Sequence, residues 1–460
     1  MDAPANLPVA VIGAGPIGLA AAAHLAERGI KVKVYEAGKS VGANILDWGH
    51  VRIFTTWEQS VDAASRRLLE RHGWMLPRPA APPTGAEIVR DYLRPLAAVP
   101  ELGGIIETDA TVIAISRAGL DKVTSKARAS KPFELRIVGA DGKQRIDLAR
   151  AVIDASGTWQ NPNPLGASGL KIPGEEEAAN RIAYGMPDVL GTRRADYAGK
   201  RVAVVGGGYS AINVLLDLIR LAREAPGTQA IWVVRGTDMN RIYGGGPADQ
   251  LEARGALGTR LRQSVEQGRI QLVTGFRANA LRQQGDGLEL VGATEAGDGV
   301  LPPVERIVVA TGQRPDLDMT RELRLELDPW LESVKALGPL IDPNLHSCGS
   351  VPPHGHRETA HPEPGFYTIG VKSYGRAPTF LLLTGYEQAR SVAAALAGDL
   401  EAADDVHLVL PETGICSTDG AADAAGCCGG PAPAGTGACC VTDVVAKSAG
   451  KSGCGCGEAA

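Results

Sequence analysis

Short apolar runs separated by turn residues recur along the chain, and two of them begin the same larger pattern. Residues 9–12 are apolar and are followed by spaced glycines, an alanine-rich stretch and the alternating stretch KVKVY at 31–35, which predicts a second strand. The same order returns between residues 201 and 234. Strand, glycine turn, helix and strand make a βαβ unit, so the pattern predicts two such units and an α/β fold with parallel sheets.

The remaining pattern predicts how these units are connected. The stretches 151–158 and 306–315 each begin with a largely apolar run and continue into small residues, which is typical of strands from which a chain crosses between domains. Further apolar spacing predicts strands within 105–120, at 133–138 and at 365–370, and helices at 317–337 and 384–397. We therefore predict that the second unit is inserted into the first. The predicted domains are residues 1–165 with 313–405, residues 166–312, and a flexible Gly/Ala/Cys-rich tail at 406–460.

The first glycine turn has the spacing of a dinucleotide-binding fingerprint. Gly13 allows the tight turn, Gly15 lets the backbone approach a pyrophosphate, and Gly18 allows helix and strand to pack closely. The following helix directs its free N–H groups at the phosphates. Glu36, after the second strand, stands where a carboxylate accepts the ribose hydroxyls. The alternative is a glycine turn that is merely structural.

The second glycine turn differs from the first at two positions. Ala211 replaces the third glycine, and Arg235 stands where the first unit has Glu36. A cation there suits a 2′-phosphate, and Arg241 is a second candidate for the same contact, so this site should favour NADPH over NADH. The alternative is a structural βαβ unit with an exposed arginine. If the second site takes the nicotinamide, the first is left for FAD, and both domains are Rossmann-like.

Composition excludes several classes of partner. The chain has 460 residues, a formal net charge of -5, 44% hydrophobic and 22% charged residues. This balance gives no reason to expect nucleic acid or an anionic membrane as partner, and no apolar run has the length of a membrane span. We therefore expect a cytoplasmic protein that acts on a small molecule, with homo-oligomerisation left open.

Four longer stretches carry a family resemblance: WGHVRIFTTW from residue 48, ASGTWQNPNPLGASGL from 155, IDPNLHSCGSVPPHGHRETAHPEPGFY from 341 and VKSYGRAPTFLLLTGYEQARSV from 371. Over residues 7–400 the chain resembles the two-dinucleotide-binding-domain flavoproteins, in their flavin-containing monooxygenase-like branch. It is most similar to the flavin monooxygenases of arsenic-resistance operons. The resemblance implies FAD, NADPH and O2. It also implies oxidation of arsenite, methylarsenite or antimonite to the pentavalent species through a flavin C4a-hydroperoxide.

The resemblance also implies which residues hold the cofactors. For FAD they are Gly13, Gly15, Pro16, Ile17, Gly18, Glu36, Ala37, Trp48, Arg52, Thr55, Val112, Thr158 and Gly370. For NADPH they are Gly206, Gly208, Tyr209, Ser210, Ala211, Arg235, Thr311, Gly312 and Arg314. The reaction is centred on the flavin, so no acid–base residue is assigned. Cys348, Thr56 and Trp48 are candidates beside it.

Two departures from the monooxygenase pattern argue against a general amine or sulfide hydroxylase. Val189 stands where the motif after Tyr184 and Gly185 would have a histidine. The asparagine that such enzymes often carry near the flavin has only Gln59 and Ser60 as its nearest equivalent. Neither departure touches the cofactor fingerprints.

The cysteines are concentrated at the chain end. Of eight, only Cys348 precedes residue 400, and six form close pairs: Cys427 with Cys428, Cys439 with Cys440, and Cys454 with Cys456. Paired thiolates suit soft ions such as arsenic(III) or antimony(III). The alternatives are a relay of electrons from the flavin, a metalloid carrier, a disulfide-capped tail, or thiols with no defined role. The disulfide reductases of this fold need a cysteine pair beside the flavin, which the body lacks.

Overall fold

The computed structural model describes residues 6–346 and 351–411, and its strands form four sheets. In chain order the strands are β1 Val9–Ile12, β2 Val32–Tyr35, β3 Ile106–Glu107, β4 Thr111–Arg117, β5 Phe133–Val138, β6 Gln144–Ala149, β7 Ala151–Asp154, β8 Ile182–Tyr184, β9 Arg201–Val205, β10 Gln229–Val233, β11 Ile270–Val273, β12 Arg277–Gln284, β13 Gly287–Thr294, β14 Gly297–Val300, β15 Arg306–Val309 and β16 Phe366–Thr368.

The α-helices are α1 Pro16–Glu27, α2 Ala43–Leu46, α3 Trp57–Ser60, α4 Ala63–Arg71, α5 Gly85–Ile88, α6 Arg94–Ala98, α7 Arg194–Tyr197, α8 Tyr209–Glu224, α9 Asn240–Tyr243, α10 Glu252–Glu266, α11 Gly338–Ile341, α12 His356–Thr359, α13 Leu382–Leu396 and α14 Leu400–Asp404. A π-helical turn joins α5 to α6 at Val89–Leu93. Short 3₁₀ turns lie at Arg128–Ser130, Ala179–Arg181, Gly246–Ala248, Asp318–Thr320 and Gly370–Tyr374.

Two five-stranded parallel sheets organise the molecule, one for each predicted βαβ unit. The first has the strand order β16-β7-β1-β2-β3, and the second has the order β11-β10-β9-β15-β8. Two three-stranded antiparallel sheets, β4-β5-β6 and β12-β13-β14, accompany them. The strands β7 and β15, which were predicted to lie where the chain crosses between the two units, each pair with the first strand of a unit. β7 pairs with β1 at one crossing of the chain, and β15 pairs with β9 at the other. The α/β fold with two Rossmann-like units is therefore confirmed.

The first unit owes its core to small residues. Helix α1 buries a run of four alanines, and α13 packs along it over many residues. Alanine and glycine let the two helices and the sheet approach closely, and this brings the chain's last long helix onto its first. The returning segment, β16 and α13, therefore covers the fingerprint end of α1.

The predicted helix at 317–337 is wrong. The segment has only the 3₁₀ turn Asp318–Thr320 followed by irregular backbone. Asp328 Oδ1 accepts hydrogen bonds from the N–H groups of Trp330 and Leu331, at 2.9 and 2.8 Å, and thereby fixes a turn around Pro329. Proline lacks the N–H that a helix interior needs, so the apolar spacing could not be realised as a helix.

The first residues of the predicted tail pack on the folded body. Leu410 is buried in a hydrophobic cluster with Leu381 and Tyr374. The carbonyl oxygen of Pro411 accepts a hydrogen bond from Arg254 Nη2 at 3.2 Å. The apolar residues of this short stretch explain why 406–411 is not part of a solvated tail. Residues 412–460 lie outside the described part of the chain.

Candidate cofactor sites

The three glycines of the first fingerprint are required for three different reasons. Gly13 has φ +96°, and a β-carbon there would lie 2.7 Å from the carbonyl oxygen of Ala155. A β-carbon on Gly18 would overlap the carbonyl oxygen of Gly13. Gly15 has no atom within 4 Å of such a β-carbon. Gly13 and Gly18 therefore serve the fold, whereas Gly15 keeps a space open in front of helix α1.

The open space at Gly15 fits the pyrophosphate of a dinucleotide. Gly15 is the N-cap of α1, with no side chain capping the free N–H groups, and Pro16 occupies the first turn. Twelve residues of helix direct a positive dipole end into this space. Uncapped N–H groups beside an unfilled glycine cradle are what a phosphate group requires.

Glu36 is held rigidly at the end of β2. Its Oε2 accepts the N–H of Ala14 at 2.7 Å, and its Oε1 accepts the N–H of Gly38 at 2.8 Å. Each carboxylate oxygen has two lone pairs, so both can still accept a ribose hydroxyl. The side chain that sequence reasoning assigned to the ribose is thus oriented by the fingerprint loop itself. Ala37, which follows it, is exposed.

The returning segment closes over the start of α1. Gly370 has φ +72°, and a β-carbon on it would lie 3.4 Å from Ile17 Cγ1. Gly385, on α13, also faces Ile17, since a β-carbon on Gly385 would lie 2.5 Å from Ile17 Cδ1. The structure therefore brings together Gly13, Gly15, Pro16, Ile17, Gly18, Glu36 and Gly370, residues that are up to 357 positions apart in sequence.

The other candidates for the flavin site have varied surroundings. Thr55 and Thr158 are buried, and Thr55 Oγ1 lies 3.1 Å from Ser60 Oγ. Thr56 caps α3 together with Gln59. Trp48 is half-buried, with its ring centroid 6.4 Å from that of Trp159.

Arg52 and Val112 already have other partners. Arg52 is exposed and forms an ion pair with Glu87 at 3.3 Å. Val112 lies in the core of the antiparallel sheet, in a hydrophobic cluster with Ile12 and Tyr35. Their assignment to FAD remains a prediction.

The second fingerprint repeats the geometry of the first. Gly206 has φ +137°, and a β-carbon on it would overlap the carbonyl oxygen of Ala310. Gly208 is the uncapped N-cap of α8, and no atom lies within 4 Å of its constructed β-carbon. Ala211 is fully buried, so its methyl group fits where the first unit has Gly18. Tyr209 and Ser210 form the first turn of α8, and the Tyr209 ring lies 4.8 Å from that of Phe54.

Two exposed arginines follow the second unit's glycine loop. Arg235 comes after β10, and its Nη1 donates to the carbonyl oxygen of Ala167 at 3.1 Å. Arg241 lies on α9, and its Nη2 donates to the carbonyl oxygen of Pro343 at 3.2 Å. Both contacts involve neutral backbone acceptors, so neither guanidinium charge is neutralised by these bonds.

The two crossing segments bind each other. The N–H of Asn163 donates to the carbonyl oxygen of Gly312 at 3.0 Å, and Asn163 Nδ2 donates to that of Thr311 at 3.1 Å. Arg314 returns a bond from its N–H to Asn161, at 3.0 Å, and its Nε forms an ion pair with Glu332 at 3.0 Å. Thr311, Gly312 and Arg314 therefore shape the connection between the two units.

Sequence reasoning missed two groups of buried polar residues near the first fingerprint. Lys372 Nζ lies 2.8 Å from Asp154 Oδ2 and 3.0 Å from Ser156 Oγ, joining the end of β7 to the returning segment. Gln388 and His354, whose side-chain nitrogens lie 3.2 Å apart, form the second group. A glutamine within the mixed apolar and polar sequence of α13 was the available signal.

Seven cysteines are candidates for the reaction or for metalloid binding. Cys348, Cys427, Cys428, Cys439, Cys440, Cys454 and Cys456 all lie outside the described residues. Within residues 6–346 and 351–411, no group of three or more His, Cys, Asp or Glu side chains could hold a metal ion. Among the helices described, none is long and apolar enough to cross a membrane.

The fold and the two glycine cradles define a two-dinucleotide flavoprotein. A model of the pyridine nucleotide-disulphide oxidoreductase family matches residues 7–351, and the chain belongs to this family. FAD and NAD(P)H are accordingly its cofactors, as predicted.

Curated relatives match at low identity. Ferredoxin–NADP reductase of Nocardioides sp. is 25% identical over 321 residues, which cover 69% of this chain and 76% of that protein. The Gluconacetobacter diazotrophicus enzyme of the same name is 28% identical, over 56% of this chain and 63% of its own. One component of the alkyl hydroperoxide reductase of Xanthomonas campestris pv. phaseoli is 26% identical, over 46% of this chain and only 30% of its own.

Solved structures share the fold over nearly their whole length. Bacillithiol disulfide reductase Bdr from Bacillus cereus has a TM-score of 0.63 at 18% identity, covering 85% of this chain and 99% of that one. The FAD-bound cadaverine monooxygenase DfoA from Erwinia amylovora has a TM-score of 0.56 at 13% identity, with 90% and 99% covered. Reductases and monooxygenases thus share this fold, and the fold alone does not choose between them.

Proposed function

We infer that this protein uses NADPH and FAD to transfer one oxygen atom from O2 to a trivalent arsenical or to antimonite. The observation that carries this proposal is the absence of any cysteine before Cys348 in the sequence. Neither fingerprint therefore has a neighbouring thiol pair in the body of the chain that could accept electrons from the reduced flavin. The acceptor must reach the site from elsewhere, and the motifs from 341 and 371 favour a trivalent metalloid with O2.

In this proposal the chain's residues bind and orient, while FAD when bound supplies the redox and oxygen chemistry. Helix α1 and Gly15 hold the FAD pyrophosphate, and Glu36 accepts the ribose hydroxyls. Gly208 and Arg235 hold NADPH. The returning segment at Gly370 excludes water from the reacting ring. For arsenite the balance is arsenite, O2, NADPH and a proton giving arsenate, water and NADP⁺. Arsenic and NADPH each lose two electrons, and O2 takes four.

NADPH oxidation should therefore depend on both the metalloid and O2. With the FAD-loaded full-length protein, we expect arsenite, methylarsenite or antimonite to accelerate NADPH consumption and to yield one pentavalent product per NADPH. The measurement is NADPH absorbance together with separation of the metalloid oxidation states. The matched control omits O2. If none of the three substrates raises the rate or gives a pentavalent product, the substrate assignment is wrong.

The tail pairs Cys427–Cys428, Cys439–Cys440 and Cys454–Cys456 are proposed as ligands of the trivalent metalloid. A variant that ends at Pro411 separates carrier from catalyst. If the protein is a catalyst whose tail only captures the metalloid, the truncated variant keeps its NADPH oxidation at saturating metalloid. If the protein is a carrier, truncation abolishes metalloid binding, and neither the full-length nor the truncated protein shows metalloid-dependent NADPH oxidation.

A second function is favoured by the similarity to ferredoxin–NADP reductases. In that case the chain would be an NADPH-dependent flavin reductase that passes electrons to tail thiols or to a thiol-bound metal. Anaerobic NADPH turnover with such an acceptor would support it, because a monooxygenase needs O2.

The Arg235 guanidinium should determine which nicotinamide dinucleotide is used. Replacing Arg235 with alanine removes a charge-assisted partner for the 2′-phosphate, worth about 1.4 kcal/mol or more. We expect kcat/KM for NADPH to fall about tenfold or more and that for NADH to stay unchanged. Arg223→Ala, at the exposed far end of the same unit's helix α8, is the control. An unchanged NADPH/NADH ratio in Arg235→Ala would refute the assignment.

A further inference from the structure

Two buried side chains that are hydrogen-bonded to each other, Gln388 and Ser373, fix the two backbone groups of Gly370. Gln388, fully buried on α13, accepts the N–H of Gly370 through Oε1 at 2.7 Å. Its Nε2 donates to Ser373 Oγ at 3.1 Å, and Ser373 Oγ in turn donates to the carbonyl oxygen of Gly370 at 2.7 Å. Gly370, which covers Ile17 at the fingerprint, is thus held in place through both its N–H and its carbonyl group.

His354 fixes Gln388 in turn. The histidine is 1% exposed, and its Nδ1 lies 2.9 Å from the carbonyl oxygen of Pro352. A carbonyl can only accept, so Nδ1 carries a proton, and in the neutral imidazole Nε2 is then an acceptor. Nε2 is 3.2 Å from Gln388 Nε2 and 3.3 Å from the Tyr374 hydroxyl, both of which can donate to it.

The hydrogen bonds form a series from Gly370 through Gln388 and His354 to Pro352, and the groups at the two ends of the series fix the direction of each bond. The N–H of Gly370 can only donate, and the carbonyl of Pro352 can only accept. Between them Gln388 must present its oxygen to Gly370 and its NH₂ to His354, and His354 must be neutral. A proton on Nε2 would face the NH₂ group of Gln388, which can only donate, so the bond between His354 and Gln388 would have to break, whereas the Tyr374 hydroxyl could turn to accept.

We propose that Gln388 and His354 are positioning residues for FAD, which hold Gly370 over the first fingerprint only while His354 is neutral. The proposal rests on the placement of FAD at this fingerprint. The groups that face the histidine are Tyr374, Gln388 and the more distant carboxylates of Glu358 and Glu387. Burial lowers the pKa of His354, with Glu358 and Glu387 opposing that shift, so the imidazole is neutral at neutral pH.

The test is the dissociation constant of FAD as a function of pH, followed by flavin fluorescence and by the flavin absorption spectrum. Gln388→Leu should weaken FAD binding about tenfold at pH 7.5, the equivalent of one lost hydrogen bond. Gln388→Glu tests the direction of the bonds. A carboxylate facing Nε2 favours a protonated His354, so this variant should bind FAD more tightly as the pH falls, whereas the natural protein should bind it less tightly.

Ser391→Ala is the matched control. Ser391 is also fully buried on α13, and its hydroxyl bonds to the N–H of His356 and the carbonyl of Ala403, at 2.8 and 2.6 Å, but not to Gly370. Its loss should lower stability without changing the pH profile of FAD binding. The inference is overturned if Gln388→Glu follows the same profile as the natural protein, and equally if a folded Gln388→Leu binds FAD unchanged. The metalloid assay does not enter these measurements. Loss of FAD from a Gly15→Ala variant reports separately on where FAD binds.

Discussion

Replacing Gly15 with alanine should remove tight FAD binding while leaving the folded protein intact. The backbone of Gly15 has φ -78° and ψ -174°, which any residue adopts, and a β-carbon there meets no protein atom within 4 Å. Its methyl group would occupy the space in front of α1, where the pyrophosphate approaches the helix N–H groups. We expect the dissociation constant of FAD to rise about 100-fold, or about 2.7 kcal/mol, with an unchanged melting temperature of the FAD-free protein.

Gly18→Ala is the contrasting variant, since it differs from the first only in where the methyl group points. A β-carbon on Gly18 would overlap the carbonyl oxygen of Gly13, a backbone atom that cannot move without opening the turn between β1 and α1. The cost should reach or exceed the roughly 1–3 kcal/mol of ordinary overpacking, so Gly18→Ala should lower the melting temperature even without FAD.

The pair of variants is measured by thermal unfolding without FAD and by titration with FAD. A Gly15→Ala protein that binds FAD as tightly as the natural one would show that the dinucleotide does not lie at this turn. A Gly18→Ala protein with unaltered stability would show that the helix and strand are less closely packed than the structure indicates.

The cofactor turns were predictable because their requirements are local. A strand, a turn that begins with a glycine at positive φ, and a helix N-terminus follow one another within ten residues, and each needs a specific residue type. The same holds for Glu36 and Arg235, since a residue one or two positions after a strand of a βαβ unit is placed by that strand. These parts of the structure depend little on the rest of the chain.

The residues that sequence reasoning missed depend on contacts between distant segments. Asp154 and Lys372 form their buried ion pair only because β16 lies beside β7, a pairing across more than 200 residues. Gln388 forms a hydrogen bond with His354 because α12, which begins two residues after His354, packs against α13. No pattern within either segment identifies its partner.

The segment 317–337 shows the opposite case, in which the local apolar spacing predicts a helix that the chain does not form. Leu323 is fully buried, but it packs in the core of the antiparallel sheet rather than on a helix face. Glu332 adopts φ +57°, the left-handed region that interrupts a helix. The turn that Asp328 forms around Pro329, together with the burial of Leu323 against the sheet, therefore takes the place of the helix.

Stability should decline as the pH falls from neutrality towards 4, and His361 should account for much of the decline. His361 is 8% exposed, with its Nε2 3.0 Å from Thr368 Oγ1 and its ring 5.6 Å from that of Phe366. Burial lowers its pKa from 6.5 to about 4, against the opposing charge of Asp154. The folded state thus holds a neutral imidazole, while the unfolded chain takes up a proton below about pH 6.5.

The sign follows from which state binds the proton. Between the two pKa values the unfolded state binds more protons, so the free energy of unfolding falls with falling pH. A shift of this size corresponds to about 3 kcal/mol in full, of which about 2 kcal/mol is lost by pH 5. The contribution is complete above about pH 6.5 and is lost as the pH approaches 4. His354, whose pKa is also lowered by burial, acts in the same direction.

Urea unfolding of the FAD-loaded protein at pH 7.5 and pH 5 measures this loss. His361→Gln keeps an amide that can reach Thr368 but has no titrating group, so its stability should fall by about 2 kcal/mol less than that of the natural protein over the same interval. His72→Gln is the control, because the His72 side chain is 39% exposed and pairs with Glu101 at the surface. Removing it should leave the decline nearly unchanged. If the free energy of unfolding declines equally in His361→Gln and in the natural protein, His361 is already protonated in the folded state or is in contact with water there. The assignment of a buried, neutral imidazole would then be wrong.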